Sequence, residues 1–201
     1  MKAVSPNWVR IAELADPMDT MRAIDINVKR PEDFQANRAQ LRKLTITLDE
    51  DRPQVVLDFG AGMLRNTIAV RDFSQFWAVI AYDSESMLRR GWAAARFPED
   101  QFPAYGRIRC EWDWSKIESV NAVLCSIVLQ HLPEDDLREA LADFAEISPW
   151  LCVWGRQRLD ESPDKSVWQI IAETWDLRWG SDGLLENPDP EAHAFAAFHR
   201  R

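Results

Sequence analysis

The sequence predicts an α/β domain built on a mostly parallel sheet, and three observations carry that expectation. Val55-Val56-Leu57-Asp58-Phe59-Gly60-Ala61-Gly62 is a β-branched apolar run ending in an acid and two closely spaced glycines, with an apolar-periodic segment directly after it. Trp77 to Tyr82 is a second apolar run followed by helical spacing, so strand and helix alternate as they do when crossover helices join parallel strands. Ala122 to Ser126 is continuously apolar, as a strand covered on both faces should be.

The 201 residues suit one domain with a large core. Residues 1–30 read as an amino-terminal cap or lid over the sheet edge or a ligand mouth, and 31–201 as the single domain. A hydrophobic content of 46% with 28% charged residues is ordinary for a soluble globular chain. The longest apolar run, Ala122 to Leu129, is too short to span a bilayer. Met1 to Pro6 lacks the apolar core of a secretory signal, so the expected location is the cytoplasm, without a membrane partner.

Cys110, Cys125 and Cys152 fall in or beside expected strands, without Cys-x-x-Cys spacing, and read as small buried hydrophobes and not as metal ligands. A net charge of −9 argues against a nucleic-acid partner, which needs clustered Lys and Arg. Ten tryptophans are many for this length, and most are expected in core or rim packing.

In chain order, a short helix is expected around Trp8 to Ala15, followed by a Met-rich turn holding Met18 and Met21. Pro31-Glu32-Asp33 opens a helix whose Phe34, Leu41, Leu44 and Leu48 share a stripe. After the glycine turn, Leu64 to Phe73 has helical spacing. Ser84 can cap the next helix, with Met87, Leu88, Gly91 and Ala95 inward. Pro103 to Glu111 is the expected third strand, Ala122 to Ser126 the fourth and Trp150 to Trp154 the fifth. Between the last two, Pro133-Glu134-Asp135-Asp136 opens a helix carrying Leu137, Ala140, Leu141 and Phe144. A helix from about Lys165 to Glu173 precedes Asp176 to Trp179 and His193 to His199, which could pair as a terminal hairpin.

Acids recur at the expected carboxyl ends of three strands: Asp58, Asp83 and Asp113. In a parallel sheet those ends line one rim, where a nucleotide-like ligand normally sits. Asp83 is placed to accept the two hydroxyls of a ribose, and Asp113 an exocyclic adenine amine, with Trp114 packing on the ring. Asp58 could orient an ammonium. Glycine at 60 and 62 would let the backbone lie against the ligand. For any single acid the competing expectation is a helix cap or a solvated loop residue.

Val56 to Gly62, then Tyr82-Asp83-Ser84-Glu85-Ser86-Met87-Leu88, then Val123 to Leu132 resemble the successive motifs of class I S-adenosylmethionine-dependent methyltransferases. The resemblance implies a Rossmann-like, mostly parallel seven-stranded sheet with helices on both faces and a carboxyl-terminal antiparallel hairpin. It implies S-adenosylmethionine as donor and S-adenosylhomocysteine as product. Gly60 and Gly62 would then lie near the methionine moiety, Asp83 on the ribose, Asp113 and Trp114 at the adenine, and Ser126 and Ile127 beside the sulfonium. Asp58, Arg65, Ser84 and Met87 complete the expected donor site.

Leu64 stands where the family usually has a third glycine, although Arg65 follows where arginine is common, and Asn121 replaces an acid often found entering the fourth strand. Signatures of nucleic-acid base methylation are missing after the fourth strand, which favours a small-molecule acceptor methylated on oxygen or nitrogen. Arg65 also breaks the Gly-x-Gly-x-x-Gly pattern of dinucleotide oxidoreductases.

His131, just beyond the fourth strand, is the candidate general base; the competing reading is a loop residue that only positions its neighbours. Trp154, Arg156 and Arg158, with Met18 and Met21, are candidates to line the acceptor pocket. A donor-binding sensor or partner subunit without catalysis is the alternative function.

Overall fold

The computed structural model describes residues 41–42, 47–162, 164–180 and 193–201. The expected cap over residues 1–30, with Met18 and Met21, and most of the helix opening at Pro31 lie outside the described residues.

Eight strands form one sheet: β1 (Gln54–Phe59), β2 (Trp77–Tyr82), β3 (Ala104–Tyr105), β4 (Ile108–Glu111), β5 (Ala122–Ser126), β6 (Trp150–Arg156), β7 (Trp175–Gly180) and β8 (His193–Arg200). Their order is β3-β4-β2-β1-β5-β6-β8-β7. β4, β2, β1, β5 and β6 run parallel, and β8 inserts antiparallel between β6 and β7. The order reverses at β1, whose neighbours are β2 on one side and β5 on the other. That switch point opens a crevice at the strand tips.

The expected third strand, Pro103 to Glu111, is divided. Gly106, left-handed at φ 58, turns the chain between the two-residue β3 and β4, which pair antiparallel. The sheet therefore has one strand more than the seven expected, added at its edge. The terminal hairpin forms as anticipated, from β7 and β8.

Among the described residues, helices follow strands at α1 (Arg65–Arg71), α2 (Glu85–Ala94), α3 (Glu134–Ile147) and α4 (Val167–Ala172). Ser84 Oγ accepts the Met87 N–H and starts α2, while Ser166 does the same for α4 through Gln169. Pro133 precedes the acids Glu134, Asp135 and Asp136 in the first turn of α3, where the helix dipole favours negative charge.

Side chains alternate across the strands and build a core on each face. Leu57, Phe59, Val123, Cys125, Leu151 and Val153 pack under α3 and α4, against Leu141, Phe144, Trp168 and Ile171. Val56, Val79, Leu124 and Cys152 pack on the other face with Leu41, Val70 and Phe73. All three cysteines are buried and none forms a disulfide. Among the described residues, no helix is long and apolar enough to cross a membrane.

Candidate functional site

The parallel register brings Phe59, Tyr82 and Glu111 to one level, with Cys125 beside Phe59. The next residues, Gly60, Asp83, Trp112 and Ser126, form the rim. β1 ends in a glycine loop whose Gly60 and Ala61 N–H groups both donate to the Tyr82 carbonyl, at 2.8 and 3.0 Å. Gly60 lies at φ 72 and Gly62 at φ 51. A Cβ on Gly60 would fall 2.4 Å from Val128 Cγ2, so the loop lies directly against the segment after β5. A Cβ on Gly62 would meet nothing closer than Met87 Cε at 3.9 Å, which leaves space on that side of the loop.

Leu64, in the place of the third glycine, still adopts the left-handed conformation, φ 61 and ψ 13. Its side chain is fully buried with Ala81, Leu88 and Trp92, and that packing holds a backbone shape a leucine does not favour by itself. Gly91 on α2 makes room for it, since a Cβ there would approach Leu64 Cγ to 2.8 Å and the Met63 carbonyl carbon to 2.9 Å.

Asp83 begins the loop after β2. Its Oδ2 accepts the Gly62 N–H at 2.8 Å and its Oδ1 the Ser84 N–H at 2.6 Å. Desolvation raises its pKa, opposed by those same hydrogen bonds. A carboxylate offers about four acceptor positions, so Asp83 keeps capacity for a ligand's hydroxyls while it pins the glycine loop.

Asp58 is buried, 1% exposed, and faces α1, where Thr67 Oγ1 donates to its Oδ2 at 2.6 Å. Its Oδ1 is buried without a hydrogen-bond partner among the described residues, as is Ser126 Oγ on neighbouring β5. Burial pushes the Asp58 carboxyl up to about 6, with a smaller contribution from the nearby charge of Asp83. Arg65, at the start of α1, acts in the opposite direction.

Asp113 stands differently. It caps the 3-10 turn Trp114–Lys116, accepting from Ser115 N and Ser115 Oγ at 3.1 and 2.7 Å, with Lys116 Nζ 3.5 Å away. The Ser115 hydroxyl above all lowers its pKa. This is the local capping role that was the competing expectation for a lone acid. Trp114 turns inward and meets Tyr82 edge-on at 5.2 Å and Phe59 at 6.2 Å, beside Phe144. The structure thus brings Asp58, Gly60, Gly62, Asp83, Met87 and Ser126 around the glycine loop. Asp113 and Trp114 sit one loop further along, and Trp114 reaches the rest through its ring contact with Tyr82.

After β5 the backbone is unusual. Ile127 is left-handed at φ 57, which for a β-branched residue costs on the order of 1 to 3 kcal/mol, and its N–H donates to the Trp154 carbonyl at 2.6 Å. Gln130, buried at 3%, accepts the Arg156 N–H on its Oε1 at 2.6 Å. His131 Nδ1 lies 2.6 Å from Asp160 Oδ2. Trp154 packs on the core formed by Leu124 and Cys152, while Arg156 is exposed.

Three polar residues of this region escaped sequence reasoning. Glu111, buried at the tip of β4, accepts the N–H groups of Trp112 and Asp113, both at 3.1 Å. Strand alternation gave no signal for it, since it puts Glu111 on the same face as the exposed Arg109. Gln130 and Asp160 lie in loops, where spacing carries no orientation.

No protein-family model and no curated protein matches the chain. Solved structures do. One is the magnesium protoporphyrin IX methyltransferase ChlM of Synechocystis PCC 6803 with bound S-adenosylmethionine, at TM-score 0.68 and 14% identity over 100% of each chain. Another is the N-methyltransferase NodS of Bradyrhizobium japonicum WM9 with S-adenosylhomocysteine, at TM-score 0.62 and 14% identity, covering 96% of this chain and 95% of that one. The pyocyanin biosynthetic protein PhzM is similar at TM-score 0.62 and 14% identity, covering 98% of this chain and 62% of its own. At such identities the likeness concerns the fold: this chain has the Rossmann-like architecture of class I S-adenosylmethionine-dependent methyltransferases.

Proposed function

We propose that the chain binds S-adenosylmethionine at the tips of β1, β2 and β5 and transfers its methyl group to a small-molecule acceptor, releasing S-adenosylhomocysteine. The observation that carries this reading is the glycine loop. Left-handed backbone at Gly60, Gly62 and Leu64, a carboxylate at Asp83 holding the loop, and open space beside Gly62 form a cradle for a nucleoside with an amino-acid tail. The unpartnered buried oxygens of Asp58 and Ser126 fit a polar ligand group there. In this reading Asp83 takes the ribose hydroxyls and Asp58 faces the ammonium. Ser84, Met87, Asp113 and Trp114 surround the nucleoside, and Arg65, Ser126 and Ile127 border the methionine and sulfonium.

Two of the similar solved structures hold the donor or its product, and the names of ChlM and NodS are those of methyltransferases. The bound donor would supply a methyl group already activated by positive sulfur. The chain's own residues then hold the acceptor in line and exclude water. Residues 1–30, as a cap, and the loops 127–134 and 155–164 are assigned to the acceptor side, with methylation on oxygen or nitrogen. The charge of −9 supports a small-molecule acceptor over nucleic acid, and the cytoplasm is the assigned location.

Titration calorimetry with S-adenosylmethionine and S-adenosylhomocysteine tests the reading. Both should bind, and Asp83→Ala should weaken binding by about 1 to 3 kcal/mol through lost charged hydrogen bonds. Absence of heat with either compound ends the proposal, and a folded Asp83→Ala variant with unchanged affinity removes Asp83 from the site. Tight binding without methyl transfer to a broad acceptor panel would assign a donor-sensing role instead.

A further inference from the structure

The segment after β5 and the loop after β6 are joined more closely than chain connectivity requires. Ile127 N–H donates to the Trp154 carbonyl, Arg156 N–H to Gln130 Oε1, and Asp160 N–H to the Gln130 carbonyl at 2.9 Å. Asp160 itself follows Leu159, which is buried at 1% in the core beneath α3 and α4, and Val167 N–H returns to the Gln157 carbonyl at 2.7 Å. The backbone of Asp160 is therefore anchored from both sides before its side chain is considered. From this frame the Asp160 carboxylate meets His131 Nδ1 at 2.6 Å.

The pair contributes little to stability. The Asp160 side chain is 44% exposed, so solvent screens the ion pair. Its consequence is orientation. With Nδ1–H donating to Asp160, the imidazole carries its basic lone pair on Nε2, and the ring plane is held relative to the strand tips.

We propose that Asp160 is a positioning residue that makes His131 the general base for an acceptor with a hydroxyl group, an inference that rests on the methyl-transfer reading above. An amine attacks as the neutral base and can lose its proton afterwards, whereas a hydroxyl gains most from proton removal as it attacks. The acceptor oxygen forms a bond to the methyl carbon while the carbon–sulfur bond breaks and its electron pair stays on sulfur, giving neutral S-adenosylhomocysteine. The hydroxyl proton passes to His131 Nε2, the imidazolium is stabilised by the Asp160 carboxylate, and the proton later leaves to water.

The test uses the full chain and three readouts. Calorimetry with S-adenosylmethionine separates the two levels of inference: loss of binding in the unaltered protein overturns the methyl-transfer reading itself, and with it this one. Long-range nitrogen NMR of the His131 ring should show a single Nδ1–H form in the unaltered protein and a mixture in Asp160→Ala. Methyl-labelled donor is then offered to hydroxyl probes (catechol, a hydroxybenzoate and a hydroxylated indole) and to their amine counterparts.

The expected result is transfer to a hydroxyl probe. Its kcat should fall roughly 10- to 100-fold in Asp160→Ala, as when the partner orienting a functional histidine is removed. In His131→Ala it should fall roughly 100-fold or more. The KM for donor should stay unchanged, and Asp160→Glu should recover most of the rate. Transfer to amines with no transfer to any hydroxyl probe, an undiminished kcat in Asp160→Ala, or no transfer to any probe by a donor-binding protein would each overturn the proposal.

Discussion

Asp58 is a carboxyl group folded into a place that disfavours its charge. One oxygen is held by Thr67, the other has no partner among the described residues, and burial raises its pKa from 3.8 to about 6. A folded value above the unfolded one means that the neutral form is favoured by folding. The stabilisation is complete below about pH 4 and is lost as pH rises through 6, a difference of about 3 kcal/mol. Asp58→Asn should therefore flatten the pH dependence of urea unfolding between pH 4 and 6.5 and stabilise the donor-free protein at pH 7. An unchanged slope would mean that Asp58 is already compensated. Gly91 gives a second test at this scale. A Cβ there meets the carbonyl carbon of Met63 at 2.9 Å and the carbonyl oxygen of Gly62 at 3.0 Å, and backbone cannot yield as a side chain does. Gly91→Ala should cost about 1 to 3 kcal/mol of stability and weaken S-adenosylhomocysteine binding at least tenfold; wild-type affinity would show that α2 does not hold the loop in its binding shape. The acids Asp58 and Asp83 were legible in the sequence because strand ends are marked by the change from apolar run to glycine or serine. Whether such an acid also caps a local turn was not legible. Asp113 accepts from Ser115, two residues away, a geometry that exists only in the folded loop.

At the scale of elements, the segment from Ile127 to His131 is held by hydrogen bonds from β6 and the loop beyond it. Gln130 is its fixed point, since its side-chain oxygen takes the Arg156 N–H and its carbonyl takes the Asp160 N–H. Gln130→Ala would leave the Arg156 N–H unpaired and should destabilise by about 1 to 3 kcal/mol, measurable by thermal or urea unfolding. An effect below 0.5 kcal/mol, taken as about the size of an ordinary surface change, would show that water replaces the amide without loss. The same reasoning explains Asn121, an outlier at the sequence level. Its Oδ1 accepts the Val55 N–H at 2.7 Å and its own N–H donates to the Val55 carbonyl at 2.8 Å, tying the entry of β5 to β1 without a charge. Strand cores were legible from their apolar runs, and helix starts from Ser84 and Pro133. The division of the third strand at Gly106 was not, because a glycine inside a strand-like stretch is compatible with a bulge, a bend or a turn.

At the scale of the whole molecule, the donor should stabilise the folded chain, because the cradle draws on β1, β2, β5 and α2 and does not exist when they separate. S-adenosylhomocysteine at one hundred times its Kd should add about 2.7 kcal/mol, read as a rise in Tm that grows with ligand concentration; a Tm independent of ligand would contradict the proposed site. The amino-acid sequence by itself determined the alternation of buried strands and amphipathic helices, hence the parallel sheet, and the placement of Asp58, Asp83 and the glycines at strand ends. Those are local properties, written in hydrophobic period and turn chemistry. Tertiary structure alone decided that β8 lies between β6 and β7, that Leu64 keeps a glycine's conformation because Gly91 leaves it space, and that His131 meets Asp160 across 29 positions of chain. Each is a contact between segments distant in sequence, and such contacts are fixed by how the faces of the sheet pack.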